Sequence, residues 1–123
     1  MPVERWSDNV IVVRLAEDPH LGDDLDALDQ ATVPPATGGA GRINAVVDFT
    51  AVKAVNSSNL ARLLKVRRQM QANGGGRLIL CGLVDQVWGA FLVTNLDKLF
   101  DFSTDMSTAL TALQLNPTSR PPA

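Results

Sequence analysis

Three short runs dominate what this chain can become: "NVIVVRLA" (9–16), "RINAVVDFT" (42–50) and "RLILCGL" (77–83). The first is a β-branched run with the length and composition of a strand, and the second is the next strand along. The third is a continuous apolar run and reads as a strand buried on both faces. Segments with helical spacing separate them. In "HLGDDLDALDQAT" (20–32), Leu21, Leu25 and Leu28 fall about one turn apart and give a short amphipathic helix with an acidic outer face. Strand and helix therefore alternate from residue 9 onward. The expected architecture is a single α/β domain with a partly parallel sheet joined by right-handed crossovers.

The remaining elements follow from local chemistry. "VPPATGGAG" (33–41) reads as a surface loop. A long second helix is expected from about Ser58 to Asn73, with Leu60, Leu63, Leu64, Val66 and Met70 as its buried stripe. Arg67 falls inside that stripe, so its stem packs while its head reaches solvent. Asn73-Gly74-Gly75-Gly76 ends the helix, because glycine readily takes the left-handed conformation. "DQVWGAFLVTN" (85–95) is a third helix with Asp85 near its positive end. "LDKLFDFS" gives a turn and a brief strand. "TDMSTALTALQL" (104–115) is a fourth helix, with Thr104 or Ser103 as its cap. Residues 1–115 form the domain and 116–123, "NPTSRPPA", a disordered C-terminal tail.

Composition narrows the function. With 123 residues, 46% hydrophobic and 20% charged, the chain buries a core without staples. Formal net charge is −2, and the aromatic residues do not interleave with the basic ones, so neither a nucleic-acid groove nor a stacking platform is expected. No apolar run approaches the length of a membrane span, and "MPVERWSDNV" lacks the pattern of an export signal, so a cytoplasmic location is expected without membrane insertion. Charge is uneven, however. Glu17, Asp18, Asp23, Asp24, Asp26 and Asp29 crowd one segment, while Arg62, Lys65, Arg67 and Arg68 crowd another. Two solvated helix faces account for this; a face that steers a charged protein partner is the alternative.

The usual chemistry of catalysis is missing. His20 is the single histidine and has no Cys or His company for a metal. Cys81 is the single cysteine and sits inside an apolar strand, where an inert thiol is the default. "NGGGR" follows a helix rather than opening one, so it is not a phosphate-cradling loop. Neither a Ser/His/Asp set nor a carboxylate pair in a known motif is present. An enzyme is not expected, and neither a metal nor a cofactor is.

What remains is "VNSSNLARLL" (55–64), where a strand-like segment turns into the second helix. Ser, Asn and Asp are the preferred helix caps, and a cap contributes about 1 kcal/mol, so capping alone accounts for the string. A wider resemblance adds a second reading. From about residue 42 to 113 the chain resembles the STAS domain of bacterial anti-sigma-factor antagonists. "AVVDFTAVKAVNSSNLARLL" is similar to the family's strand, serine turn and helix. "GGGRLILCGLVDQVWGAFLVTNLDKLF" is similar to its Gly-Gly-Arg-Leu strand, the short helix after Cys-Gly, and the Leu-Asp-Lys-Leu-Phe segment, and "DFSTDMSTAL" to its last strand and helix.

The resemblance implies a single STAS domain, a small mixed β-sheet with an N-terminal strand pair flanked by about four helices, and a regulatory protein without catalysis. Such antagonists bind an anti-sigma factor that is also an ATP-dependent serine kinase, which phosphorylates a serine at the helix start; a phosphatase resets it. By position the acceptor is Ser58, with Ser57 as its alternative, and Asn56, Ser57, Ser58, Asn59 and Arg62 are the expected partner-binding residues. Arg62, one turn along, is placed to reach a phosphate and mask it in part. Two asparagines depart from the family's pattern: Asn56 stands for its aspartate and Asn59 for its glycine. Related STAS proteins work instead as adaptors in stressosome-like complexes or lipid-transport ATPases. In that reading Ser58 is only a cap, contacts come from the second helix and "VWGAFLV", and Trp88 is either core or interface anchor. A dimer is compatible with both.

Overall fold

A computed structural model describes residues 3–7, 10–16, 20–32, 43–72 and 75–115. Five strands form one sheet in the sequential order β1 (Val3–Ser7), β2 (Val10–Arg14), β3 (Asn44–Asp48), β4 (Leu78–Cys81) and β5 (Asp101–Ser103). Only the first pair is antiparallel; β2, β3, β4 and β5 run parallel. Among the described residues the helices are α1 (Leu21–Ala31), α2 (Ser57–Ala72), α3 (Asp85–Val93) and α4 (Met106–Leu115), with a 3-10 turn at Leu96–Lys98. The mixed sheet and four helices agree with the expected α/β class. The strand that residue-level periodicity does not reveal is β1, "VERWS", whose charges mask its alternation. The family resemblance implied it as half of a strand pair.

Side chains alternate across the sheet with the period of two that strands impose. Ile11, Val13, Ala45, Val47, Leu78 and Leu80 face one side, where α1, α2 and α3 add Leu25, Leu28, Leu63, Val66 and Phe91. Val10, Val12, Val46, Ile79 and Cys81 face the other, where α4 lays down Ala109 and Leu113. The central strands are thus buried on both faces, as their unbroken apolar runs require. Phe91 lies at the centre of the larger core, meeting Phe49, Phe100 and Phe102 edge-to-face at centroid distances of 6.3, 5.7 and 5.4 Å.

The helix ends show which expectations the backbone altered. Gly75 has φ +78° and its N–H donates to the Met70 carbonyl at 3.0 Å, so glycine does close α2 in the left-handed way. Asn73 and Gly74 lie outside the described residues, as do the loop at 33–41 and the tail at 116–123. Helix α4 is not capped by Ser103 or Thr104. Asp105 takes that place: its Oδ1 accepts from the Thr108 N–H at 2.8 Å, and its carbonyl accepts from Ala109 at 3.1 Å. A carboxylate at this position also favours the positive end of the helix, which a hydroxyl does less strongly.

The two charge blocks face each other. Arg62 on α2 pairs with Asp26 on α1 and donates to the Gly22 carbonyl at 3.0 Å. Lys65 lies 3.9 Å from Asp29, and the Gln69 amide donates to the Asp29 carbonyl. Part of what reads as solvated surface is therefore an interface between two helices.

Candidate functional site: the exposed serines at the start of α2

Strand β3 ends at Asp48, and the chain then crosses to α2 through 49–56. The crossing is pinned by short-range bonds: the Val52 N–H donates to the Phe49 carbonyl at 2.8 Å, and the Thr50 N–H to Asp48 Oδ1 at 2.9 Å. At its end Asn56 and Asn59 bond reciprocally. The Asn59 N–H donates to Asn56 Oδ1 at 2.8 Å, and the Asn56 N–H donates to Asn59 Oδ1 at 2.9 Å. This is the capping box, built from two asparagines instead of a Ser/Thr and a Glu. Val55 just before the cap and Leu60 in the first turn pack on the core, the two positions at which apolar residues staple a helix start.

The asparagine frame changes the standing of the serines. Asn56 is the cap, so Ser57 and Ser58 are the first two helical residues, and α2 starts one residue earlier than the spacing indicates. Both serines are exposed. Neither hydroxyl takes part in the cap. Helix geometry leaves their N–H groups without an intrahelical acceptor, next to the positive end of a 16-residue helix.

The other expected site residues divide clearly. Asn56 is exposed beside the serines, whereas Asn59 is buried and its side chain is committed to the box. Arg62 is held against α1 by Asp26 and the Gly22 carbonyl, and so leans away from the masking role expected of it. Trp88 is half-buried, stacked edge-to-face on Phe102 at 4.8 Å, and packs against the core while still lining an open groove with Leu83 and Asp85.

A surface that the residue types announce only faintly lies next to Ser57. An open groove of about 460 Å³ runs between the start of α2 and the outer side of α3, lined by Val55, Ser57, Leu60, Gly89, Ala90 and Val93 among others. Val93 is 85% exposed and Leu92 46%, an unusual state for the end of an apolar helix. Gly89 and Ala90 are the sequence trace of it: two small residues in an otherwise bulky segment leave room between the helices.

Among the described residues there is no group of three or more His, Cys, Asp or Glu side chains that could hold a metal. Cys81 is fully buried, and burial first, then the charges of Asp48 and Asp105, push its thiol up to about 12, so it is protonated at neutral pH. His20 is exposed at the start of α1 and makes no side-chain capping bond. No helix among the described residues is long and apolar enough to cross a membrane.

Comparison with known proteins gives the fold a name. No family model matches the sequence, and no curated protein matches it. Solved structures do. An anti-sigma-factor antagonist (STAS) domain protein from Planctomyces limnophilus superposes with TM-score 0.75 at 17% identity, over 91% of this chain and 96% of that one. A serine-to-glutamate variant of RsbS from Moorella thermoacetica gives 0.71 at 20%, over 94% and 97%. A chain from the stressosome, described as a signal integration and transduction hub, gives 0.71 at 21%, over 96% and 100%. The antiparallel opening pair, the parallel strands after it and the four helices are together the fold of the STAS domain, as found in anti-sigma-factor antagonists.

Proposed function

We propose that the protein is a non-catalytic, cytoplasmic anti-sigma-factor antagonist: it binds an anti-sigma serine kinase at the start of α2 and is switched by phosphorylation of Ser58, with Ser57 as the alternative acceptor. One observation carries this reading. Two hydroxyls stand exposed on a helix start that other residues already cap, beside an apolar groove.

A phosphoryl group adds about −1.5 to −2 charges and three strong acceptor oxygens. On Ser58 it meets the unpaired N–H groups of the first turn and the positive helix end, so the domain keeps its fold. The surface changes instead. A partner that desolvates an uncharged patch around Asn56, Ser57 and Val93 then has to bury a dianion, and affinity falls. A phosphatase would restore the neutral state.

The test is incubation with ATP and an anti-sigma serine kinase from the same genome, followed by intact mass and by binding of Ser58→Glu to the kinase. One added phosphate and weakened binding support the switch; neither supports its absence. A second reading, a STAS adaptor within a larger assembly, is favoured by the likeness to a stressosome chain over its whole length and by the exposed Leu92 and Val93. Elution with a large complex in native extract, unaffected by Ser58→Ala, distinguishes it.

A further inference from the structure

The other end of α2 holds a second feature, unrelated to the serines. Arg67 lies nine residues beyond Ser58, roughly 14 Å along the helix at 1.5 Å per residue. There the last turns of α2 and the starts of β4 and β5 enclose a cleft of about 160 Å³ lined by Arg67, Gln71, Gly75, Gly76, Arg77 and Asp101 among others. Its floor is rigid. Gly75 is fixed by its bond to Met70, and Gly76 approaches β3 so closely that a Cβ would stand 1.9 Å from the Ile43 carbonyl oxygen. The Arg77 N–H donates to Oδ1 of Asn44 at 2.8 Å, and its carbonyl accepts from Ala45 at 2.9 Å, so the backbone bearing this arginine cannot drift.

The side chains are less settled than the backbone. Arg77 is only 16% exposed, and its Nε is buried with no hydrogen-bond acceptor. The nearest carboxylate oxygen, Oδ2 of Asp101, is 3.7 Å away, near enough to attract but too far to accept a hydrogen bond. Buried guanidinium donors ordinarily find acceptors, and one that does not calls for an explanation. Across the cleft Arg67 spends one N–H on Gln71 at 3.3 Å. Two guanidinium groups against one carboxylate leave the cleft with a net charge of about +1, in a chain whose own net charge is −2.

We propose that this cleft binds a small oxyanion of the phosphate class, with Arg77 and Arg67 as its two cationic walls. A planar guanidinium matches the edge of a phosphate bidentately, whereas a lysine offers only a point charge. The volume suits a phosphoryl-sized group and falls below the several hundred Å³ that larger organic ligands take. The ion is either free or carried as an ester, and while no anion is present the Asp101 carboxylate, 3.7 Å from Arg77 Nε, offsets part of the positive charge.

The test is titration of the ¹⁵N-labelled protein with inorganic phosphate, against sodium chloride at matched ionic strength. Saturable shifts are expected at the amides of Gly75, Gly76 and Arg77 and at the Arg77 Nε–H. Arg67→Gln, on the half-buried side of a long helix, should weaken binding about tenfold while leaving the remaining spectrum in place. A parallel titration with methyl phosphate identifies the source: tighter binding than inorganic phosphate assigns the site to an esterified phosphoryl group, equal or weaker binding assigns it to the free ion. Shifts that never saturate, shifts equal to those in chloride, or an Arg67→Gln affinity within about twofold of wild type would each overturn the site.

Discussion

Asn56 and Asn59 close two reciprocal hydrogen bonds across the first turn of α2, at 2.8 and 2.9 Å, and thereby relieve Ser57 and Ser58 of capping. From the sequence these asparagines are departures from a family pattern. In the structure they form a self-contained frame that holds two idle hydroxyls in the open.

That frame predicts an unequal response to substitution. Asn56→Ala should lower stability by about 1 kcal/mol, the usual loss for a helix cap. Ser58→Ala should stay within about 0.5 kcal/mol of wild type, as an exposed residue without partners does. Urea unfolding measures both. A larger loss for Ser58→Ala than for Asn56→Ala would return the serine to a structural role.

Arg62 is committed to α1, so it should not tune the switch. Its pair with Asp26 is largely exposed, and Arg62→Ala should cost no more than about 1 kcal/mol, less at high salt. Kinase affinity of the phosphorylated protein, measured by calorimetry, should be the same with Arg62→Ala as without it. A marked further loss would show that Arg62 leaves Asp26 to screen the phosphate.

Cys81 gives the protein an alkaline weakness. Its folded thiol is pushed up to about 12, against an ordinary value near 9, chiefly by burial. Above pH 9 the unfolded chain gives up this proton and the native one does not, so stability is complete below pH 9 and declines as pH rises toward 12. The slope should approach about 1.4 kcal/mol per pH unit and vanish in Cys81→Ala. In the native protein the thiol should resist alkylation at pH 8 until denaturant is added; a fast native reaction would contradict its burial.

Phe91 is the residue on which the larger core turns, fully buried and edge-to-face with three other phenylalanines. Phe91→Ala should cost about 3–5 kcal/mol, a large share of the stability of a domain this size. Val93→Ala, two residues on and 85% exposed, should be close to neutral for stability. In a pull-down with the kinase Val93→Ala should instead weaken capture; full capture would remove the α2–α3 groove from the docking surface.

The strands with pure apolar runs were legible because parallel strands buried on both faces leave no room for polar residues, and β2, β3 and β4 all lie where "VIVV", "AVV" and "LILC" stand. Strand β1 was not legible from periodicity, because an edge strand carries charges such as Glu4 and Arg5 that erase the alternation. The position of the serine turn was also plain, since a strand-like segment gives way to leucines at helical spacing there. Which residue caps was not. Asn, Ser and Asp have nearly equal capping preference, so "NSSN" leaves the choice to geometry. The same near-equality hid Asp105 behind Ser103 and Thr104. The pairing of Arg62 with Asp26 lay beyond any local pattern, since 36 residues separate them and only the packing of α1 on α2 brings them together.

The central claim is that Ser58 is a phosphoacceptor whose charge releases a kinase partner. The most direct measurement is intact mass and peptide mapping after reaction with ATP and an anti-sigma serine kinase from the same genome, run on wild type, Ser57→Ala and Ser58→Ala. The account predicts one phosphate on wild type and on Ser57→Ala, and none on Ser58→Ala. An unmodified wild-type protein, or phosphate that persists in Ser58→Ala at a residue away from this turn, would contradict it.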